Sequence, residues 1–114
     1  MDTSINGEVY IDIDDALKRV GGNMDLYKRL LGRFVEGNHF EGLSEAIQKG
    51  ETEESERQAH TIKGVGANLS LVKVATLSAD LEQLLKAGSD ISALFEDLRQ
   101  AYDTTVDMIK KIVS

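Results

Sequence analysis

The sequence predicts an all-α fold: an antiparallel up-down-up-down four-helix bundle with a short N-terminal helix. Three observations predict it. Proline is absent and only 5% of the residues are aromatic, while the good helix formers Leu, Ala, Glu and Lys are abundant. Apolar residues recur at helical rather than alternating spacing in nearly every segment. The connections between segments are very short, so successive helices must lie antiparallel beside one another. A chain of 114 residues has the length of one domain, and 1–114 is taken as a single unit.

Residues 1–10 show no sustained period and are expected to form a loose lead-in. A short amphipathic helix follows over 12–20, with Asp12 or Asp14 to cap its start and Gly21-Gly22 to stop it. The bundle is expected over 23–113. Asn23 caps its first helix, where Tyr27, Leu30, Leu31 and Phe34 keep the i, i+3, i+4, i+7 spacing. Phe40, Leu43 and Ile47 also keep helical spacing, but on roughly the opposite side of the same helix. One long helix to about Lys49 is expected, with an interruption near Gly37-Asn38 as the alternative. Gly50 ends it. Thr52 heads the next helix, with Ala59, Ile62, Gly66 and Leu69 facing inward and Ser70 at the turn. The following helix runs from about Leu71 to Ala87 with Leu71, Val74, Ser78, Leu81 and Leu85 inward, closed by Gly88. Ser89 or Asp90 caps the last, whose apolar stripe from Ile91 to Val113 is the longest in the chain.

Composition narrows the function classes. The chain has no cysteine, which excludes disulfides and thiolate metal sites. Its 20 acidic residues outnumber 13 basic ones, for a net charge of −7. That balance opposes binding to nucleic acid, which needs clustered Lys and Arg against phosphate, so a protein partner is expected. No apolar run approaches the ~18 residues that span a bilayer. Met1 to Tyr10 lack a basic region followed by an apolar stretch, so no signal peptide is expected. The expected location is the cytoplasm, and a monomer is the default because the bundle closes its own core. No Gly-rich phosphate-cradling loop is present.

The stretch Ala59-His60-Thr61-Ile62-Lys63-Gly64-Val65-Gly66-Ala67-Asn68 carries the chemistry. On a helix, Lys63, Gly64 and Ala67 share the face of His60, while Ile62 and Leu69 point to the core. His60 therefore stands outward beside a cation, with two minimal side chains in front of it. Glycine inside a helix costs roughly 1 kcal/mol against alanine. Small residues at 64, 66 and 67 are explained by access, since they let another protein bring a reactive group to the imidazole. A neutral imidazole is a competent nucleophile near neutral pH, and Lys63 supplies a point positive charge for phosphoryl oxygens. Asp80 and Glu82 on the next helix are placed to approach His60 across a groove, although solvated carboxylates on a helix face are the commoner arrangement. Gln83 and Lys86, with Arg57 and Glu56 one turn before His60, are expected to line a docking surface. Glu36 and His39 form one Glu–x–x–His pair; a di-iron bundle needs two, so His39 is expected to pack or hydrogen-bond near the helix irregularity.

This segment resembles the signature of histidine phosphotransfer (HPt) domains of bacterial multistep phosphorelays, in which the phosphoaccepting His is followed at +3 by Lys and at +4 by Gly. The resemblance extends over most of the chain: to Asp14-Asp15-Ala16-Leu17, Gly21-Gly22-Asn23, Phe34, Asn38, His39 and Leu81-Glu82. Two positions depart from it. Members often carry Gly at +7, where this chain has Ala67, and Gly at the turn, where it has Ser70. The resemblance implies a phosphocarrier and no enzyme: His60 accepts a phosphoryl group from a receiver-domain aspartate and passes it to another receiver. The implied partners are receiver domains of response regulators or hybrid histidine kinases. These would supply the catalysis and the Mg²⁺, and this chain would bind no cofactor. It also admits the cytoplasmic part of a larger membrane-bound sensor kinase. The competing reading is a helical adaptor that binds a partner through the groove around His60 without chemistry.

Overall fold

Side-chain caps open the first two helices in the computed structural model, which describes residues 2–114. Asp12 accepts a hydrogen bond from the Asp15 amide and starts α1 (Ile13–Arg19). Asn23 accepts from the Leu26 amide and starts α2 (Met24–Gly37). These bonds satisfy amides that a helix start otherwise leaves unpaired. Then come α3 (His39–Gln48), α4 (Thr52–Asn68), α5 (Val72–Ala87) and α6 (Ser92–Val113). Gly50 and Gly88, at φ of 70° and 69°, follow α3 and α5 in the left-handed conformation that closes a helix with no Cβ clash. The fold is mostly helical, as expected.

The single helix expected over 23–49 is two. Asn38 adopts φ 45° and ψ 50°, ending α2 and beginning α3. Asparagine tolerates this left-handed region better than most side chains, and its Nδ2 donates to Glu41 Oε2 at 2.6 Å. The break reconciles the two opposed stripes: Tyr27, Leu31 and Phe34 are buried from α2, Leu43 and Ala46 from α3. Phe40 stacks on Phe95 of α6, with centroids 5.3 Å apart, and Tyr102 packs beside both Phe34 and Phe40.

The expected loose lead-in over residues 1–10 is also corrected, Met1 lying outside the described residues. Ser4–Ile5 (β1) pairs antiparallel with Glu8–Val9 (β2). Asn6 and Gly7 turn the chain with positive φ, the geometry a two-residue hairpin demands. Glu8 pairs with Lys73 at the start of α5, and the Lys73 ammonium lies 5.9 Å over the Tyr10 ring. The last helix departs slightly: Ile91 occupies its cap position without a side-chain bond, and Asp90 instead accepts from the Ser92 amide at 2.9 Å.

Helix α2 packs on α6, α6 on α5, α5 on α4, and α4 on α3. The shared core contains Leu31, Leu43, Ile62, Val74, Leu81, Leu98 and Ile109, all without exposed surface. A Cβ added to Gly66 would lie 3.4 Å from the Ala75 backbone nitrogen, so glycine lets α4 and α5 approach closely. The turn joining them is braced three ways. Ser70, at φ 57°, donates its hydroxyl to Asp15 Oδ2 at 2.7 Å and accepts from the Asp12 amide at 2.9 Å. Tyr27 donates to the Leu69 carbonyl at 2.7 Å, and burial pushes its hydroxyl up to about 12.

Among the described residues, the hydroxyls of Ser78 on α5 and Thr105 on α6 are buried without a hydrogen-bond partner. A buried unpaired hydroxyl costs about 1–3 kcal/mol, so Ser78→Ala and Thr105→Val should each raise the urea midpoint, by about 1 kcal/mol in stability. The Ser70 hydroxyl, and after it Arg19, hold the Asp15 carboxyl below its ordinary value of 3.8. That contribution is complete above 3.8 and disappears as the pH falls through the depressed folded value. Asp15→Ala should therefore lower the thermal midpoint at neutral pH, with the gap to wild type closing in acid.

Candidate functional site

Helix α4 carries Ala59, Ile62 and Gly66 inward, and this fixes what its other face presents. His60 follows Ala59 and points outward, its side chain 63% exposed. Gly64 and Ala67 lie along the same face. A Cβ added at Gly64 would meet nothing within 4 Å, and Ala67 is exposed. The helix wall in front of the imidazole is bare at these two positions. Gly66, read from sequence as part of this access patch as well as of the core stripe, is turned wholly inward against Ala75 and serves packing alone.

Glu82 is the residue whose weight the sequence reading misjudged. It lies 22 residues from His60, on the side of α5 that faces α4, and its side chain is only 7% exposed. Three basic side chains cover its carboxylate. His60 Nδ1 lies 3.1 Å from Oε2 and 3.3 Å from Oε1. Lys63 Nζ lies 3.4 Å from Oε1 and Lys86 Nζ 3.3 Å from Oε2. Burial raises the carboxyl, but hydrogen bonds from Lys86, His60 and Lys63 outweigh it and hold Glu82 below the usual carboxylate range. Asp80, the other candidate carboxylate, stays exposed. The signal was present: Glu82 follows Ser78 by four residues and precedes Leu85 by three, inside the buried stripe of α5.

An ionised carboxylate only accepts hydrogen bonds. In the neutral ring Nδ1 therefore carries the hydrogen and donates it to Glu82. Nε2 is left with its lone pair, and among the described residues it has no hydrogen-bond partner. The shallow groove beside the ring, about 290 Å³, is lined by Glu53, Glu56, Arg57, His60, Glu82 and Lys86. Arg57 pairs with Glu54 within α4. Gln83 is exposed and is not among the residues lining the groove. A second, more apolar hollow of about 320 Å³ lies between α2 and the end of α4 and includes His39. The His39 ring sits 5.7 Å from Phe34, packed at the α2–α3 break, the place expected for it.

The arrangement offers one exposed nitrogen nucleophile, two nearby ammonium groups and open approach. A family model described as "Hpt domain" matches residues 30–110, from within α2 into α6. No curated protein and no solved structure gives a significant match.

Because the space beside Gly64 is empty, Gly64→Ala should stabilise the helix by roughly 1 kcal/mol, read as a higher urea midpoint. A destabilised Gly64→Ala would show that the glycine answers a packing demand instead.

Proposed function

The chain belongs to the Hpt domain family, and from that premise we propose that it is a phosphocarrier of a two-component phosphorelay. It takes a phosphoryl group onto His60 from a receiver-domain aspartate and passes it to another receiver. The observation that carries this reading is the outward imidazole of His60, its side chain largely exposed and its Nδ1 3.1 Å from the Glu82 carboxylate, an arrangement that leaves Nε2 for the phosphoryl group.

Attack by nitrogen on an acyl phosphate needs a lone pair aimed at phosphorus and little else from the carrier. Lys63 lies beside Glu82 at 3.4 Å, within a swing of the ring, and its ammonium offsets charge on the phosphoryl oxygens. The receiver brings the aspartate, the Mg²⁺ and the catalysis, so this chain is no enzyme in its own right. Gly64 and Ala67 leave room for the receiver's active-site loops. Glu56, Arg57 and Lys86 line that approach, and Gln83, exposed on α5 outside the groove, adds to the docking surface. The scaffold is read as an up-down-up-down bundle in which α2 and α3 together form one of the four members, supported by the neighbour order of the helices. Residues 1–114 act as one unit, as a monomer. No described helix is long and apolar enough to cross a membrane, which agrees with a cytoplasmic site of action.

Incubation with a phosphorylated receiver and Mg²⁺ should place an acid-labile phosphoryl group on the protein. His60→Gln should carry none, with an unchanged circular dichroism spectrum. Lys63→Ala should still be labelled, but about tenfold more slowly, the worth of one charge-assisted contact. A His60→Gln variant that keeps both partner binding and biological activity would make the protein an adaptor instead.

A further inference from the structure

The turn of the N-terminal hairpin holds the one Asn-Gly step in the chain, Asn6-Gly7. An asparagine can lose its carboxamide when the backbone nitrogen of the next residue attacks it. Three conditions favour the attack: no side chain on the next residue, a carboxamide free to rotate, and an attacking amide that donates to nothing else. Asn6 and Gly7 meet all three. Both are exposed to water. Among the described residues the Asn6 side chain makes no hydrogen bond, and the Gly7 amide donates to no acceptor.

The other asparagines, Asn23, Asn38 and Asn68, are blocked. Each precedes a bulky residue: Met24, His39 or Leu69. Asn23 and Asn38 spend their carboxamides on the Leu26 amide and the Glu41 carboxylate. Asn68 ends α4, where the Leu69 amide already donates to the Val65 carbonyl at 3.1 Å.

We propose that Asn6 is a modification site, at which water converts the carboxamide to isoaspartyl and aspartyl products and the isoaspartyl product releases the hairpin. The Gly7 nitrogen attacks Cγ of Asn6. The N–Cγ bond forms and the Cγ–Nδ2 bond breaks. The side-chain nitrogen departs as ammonia, taking the Gly7 amide hydrogen with it. Water then opens the five-membered imide at either carbonyl. Opening at Cγ restores the ordinary chain with an aspartate. Opening at the backbone carbonyl leaves the chain running through Cγ, one carbon longer, with the former carbonyl as the free acid. Ammonia takes up the acid proton in both cases, so the net charge falls one unit below −7.

Ring closure twists the Asn6 backbone out of the conformation that the hairpin imposes, so the reaction runs through the opened turn. Two-residue strands hold one another weakly, and the tie from Glu8 to Lys73 restrains them against α5. The two products then part ways. Asp-Gly suits this turn as Asn-Gly does, so the aspartyl form keeps the hairpin. The longer backbone of the isoaspartyl form breaks the pairing of Ile5 with Glu8 and draws Glu8 away from Lys73.

Intact protein aged at mildly alkaline pH, then digested and mapped by mass spectrometry, reads the conversion at each asparagine. Residue 6 should react well before residues 23, 38 and 68. Gly7→Ala should lose detectable conversion over the same period, although it loosens the turn, because a side chain now shields the attacking nitrogen. Lys73→Met should speed conversion by up to about fivefold, the worth of one exposed ion pair. The purified isoaspartyl form should melt at a lower temperature than Asn6→Asp. An intact carboxamide at residue 6 after another asparagine has reacted overturns the proposal, as does undiminished conversion in Gly7→Ala. An unchanged rate in Lys73→Met, or equal melting of the two acidic forms, overturns the link to the hairpin. The wild-type map requires no substitution and decides even where a variant fails to fold.

Discussion

The Glu82 carboxylate sits between α4 and α5 with almost no surface of its own, under His60, Lys63 and Lys86. A charge in such a place is tolerated only when it is well paired, and removing partners from it is expensive. The cluster therefore constrains both helices at once: α4 must present His60 and Lys63 one turn apart, and α5 must present Glu82 opposite them. The apolar part of the structure is organised to allow this. Ala59 and Ile62 on one helix and Leu81 and Leu85 on the other bury their side chains beside the polar cluster and fix the depth at which it lies.

The connection between the two helices is as constrained as the helices themselves. Ser70 sits in a left-handed conformation that costs a side-chain-bearing residue free energy. Its hydroxyl and carbonyl are each bonded to the segment that opens α1. The N-terminal segment thereby contributes to the site without touching it: it fixes the turn, the turn fixes how α5 leaves α4, and that sets Glu82 against His60. The hairpin adds a second tie further along, through Glu8 and Lys73.

Local sequence rules carried much of this. The caps at Asp12 and Asn23, the stops at Gly50 and Gly88 and the outward direction of His60 all depend on a few neighbouring residues and could be read from spacing. The misses have physical causes. The opposed stripes of 27–34 and 40–47 pointed to a break, but continuous helical spacing on each side favoured a single helix, and only packing against α6 decides between them. Asn6-Gly7 is a strong hairpin signal, yet strands of two residues show no alternation to support it. The role of Glu82 was hidden because a glutamate on a helix is most often solvated. Only its position within the stripe of Ser78, Leu81 and Leu85 argued otherwise, and its partners come from a helix that sequence alone does not place.

The contact of Gly66 with Ala75 makes the two helices a lever with a short arm. Six residues separate Gly66 from His60, about 9 Å along the helix. Any side chain larger than a methyl at position 66 would act as a wedge, prising the pair open at one point and swinging the far ends apart. An ion cluster held by contacts of 3.1–3.4 Å has no slack to absorb such a displacement. The smallest residue in the core thus works as a spacer gauge for the most highly charged part of the surface.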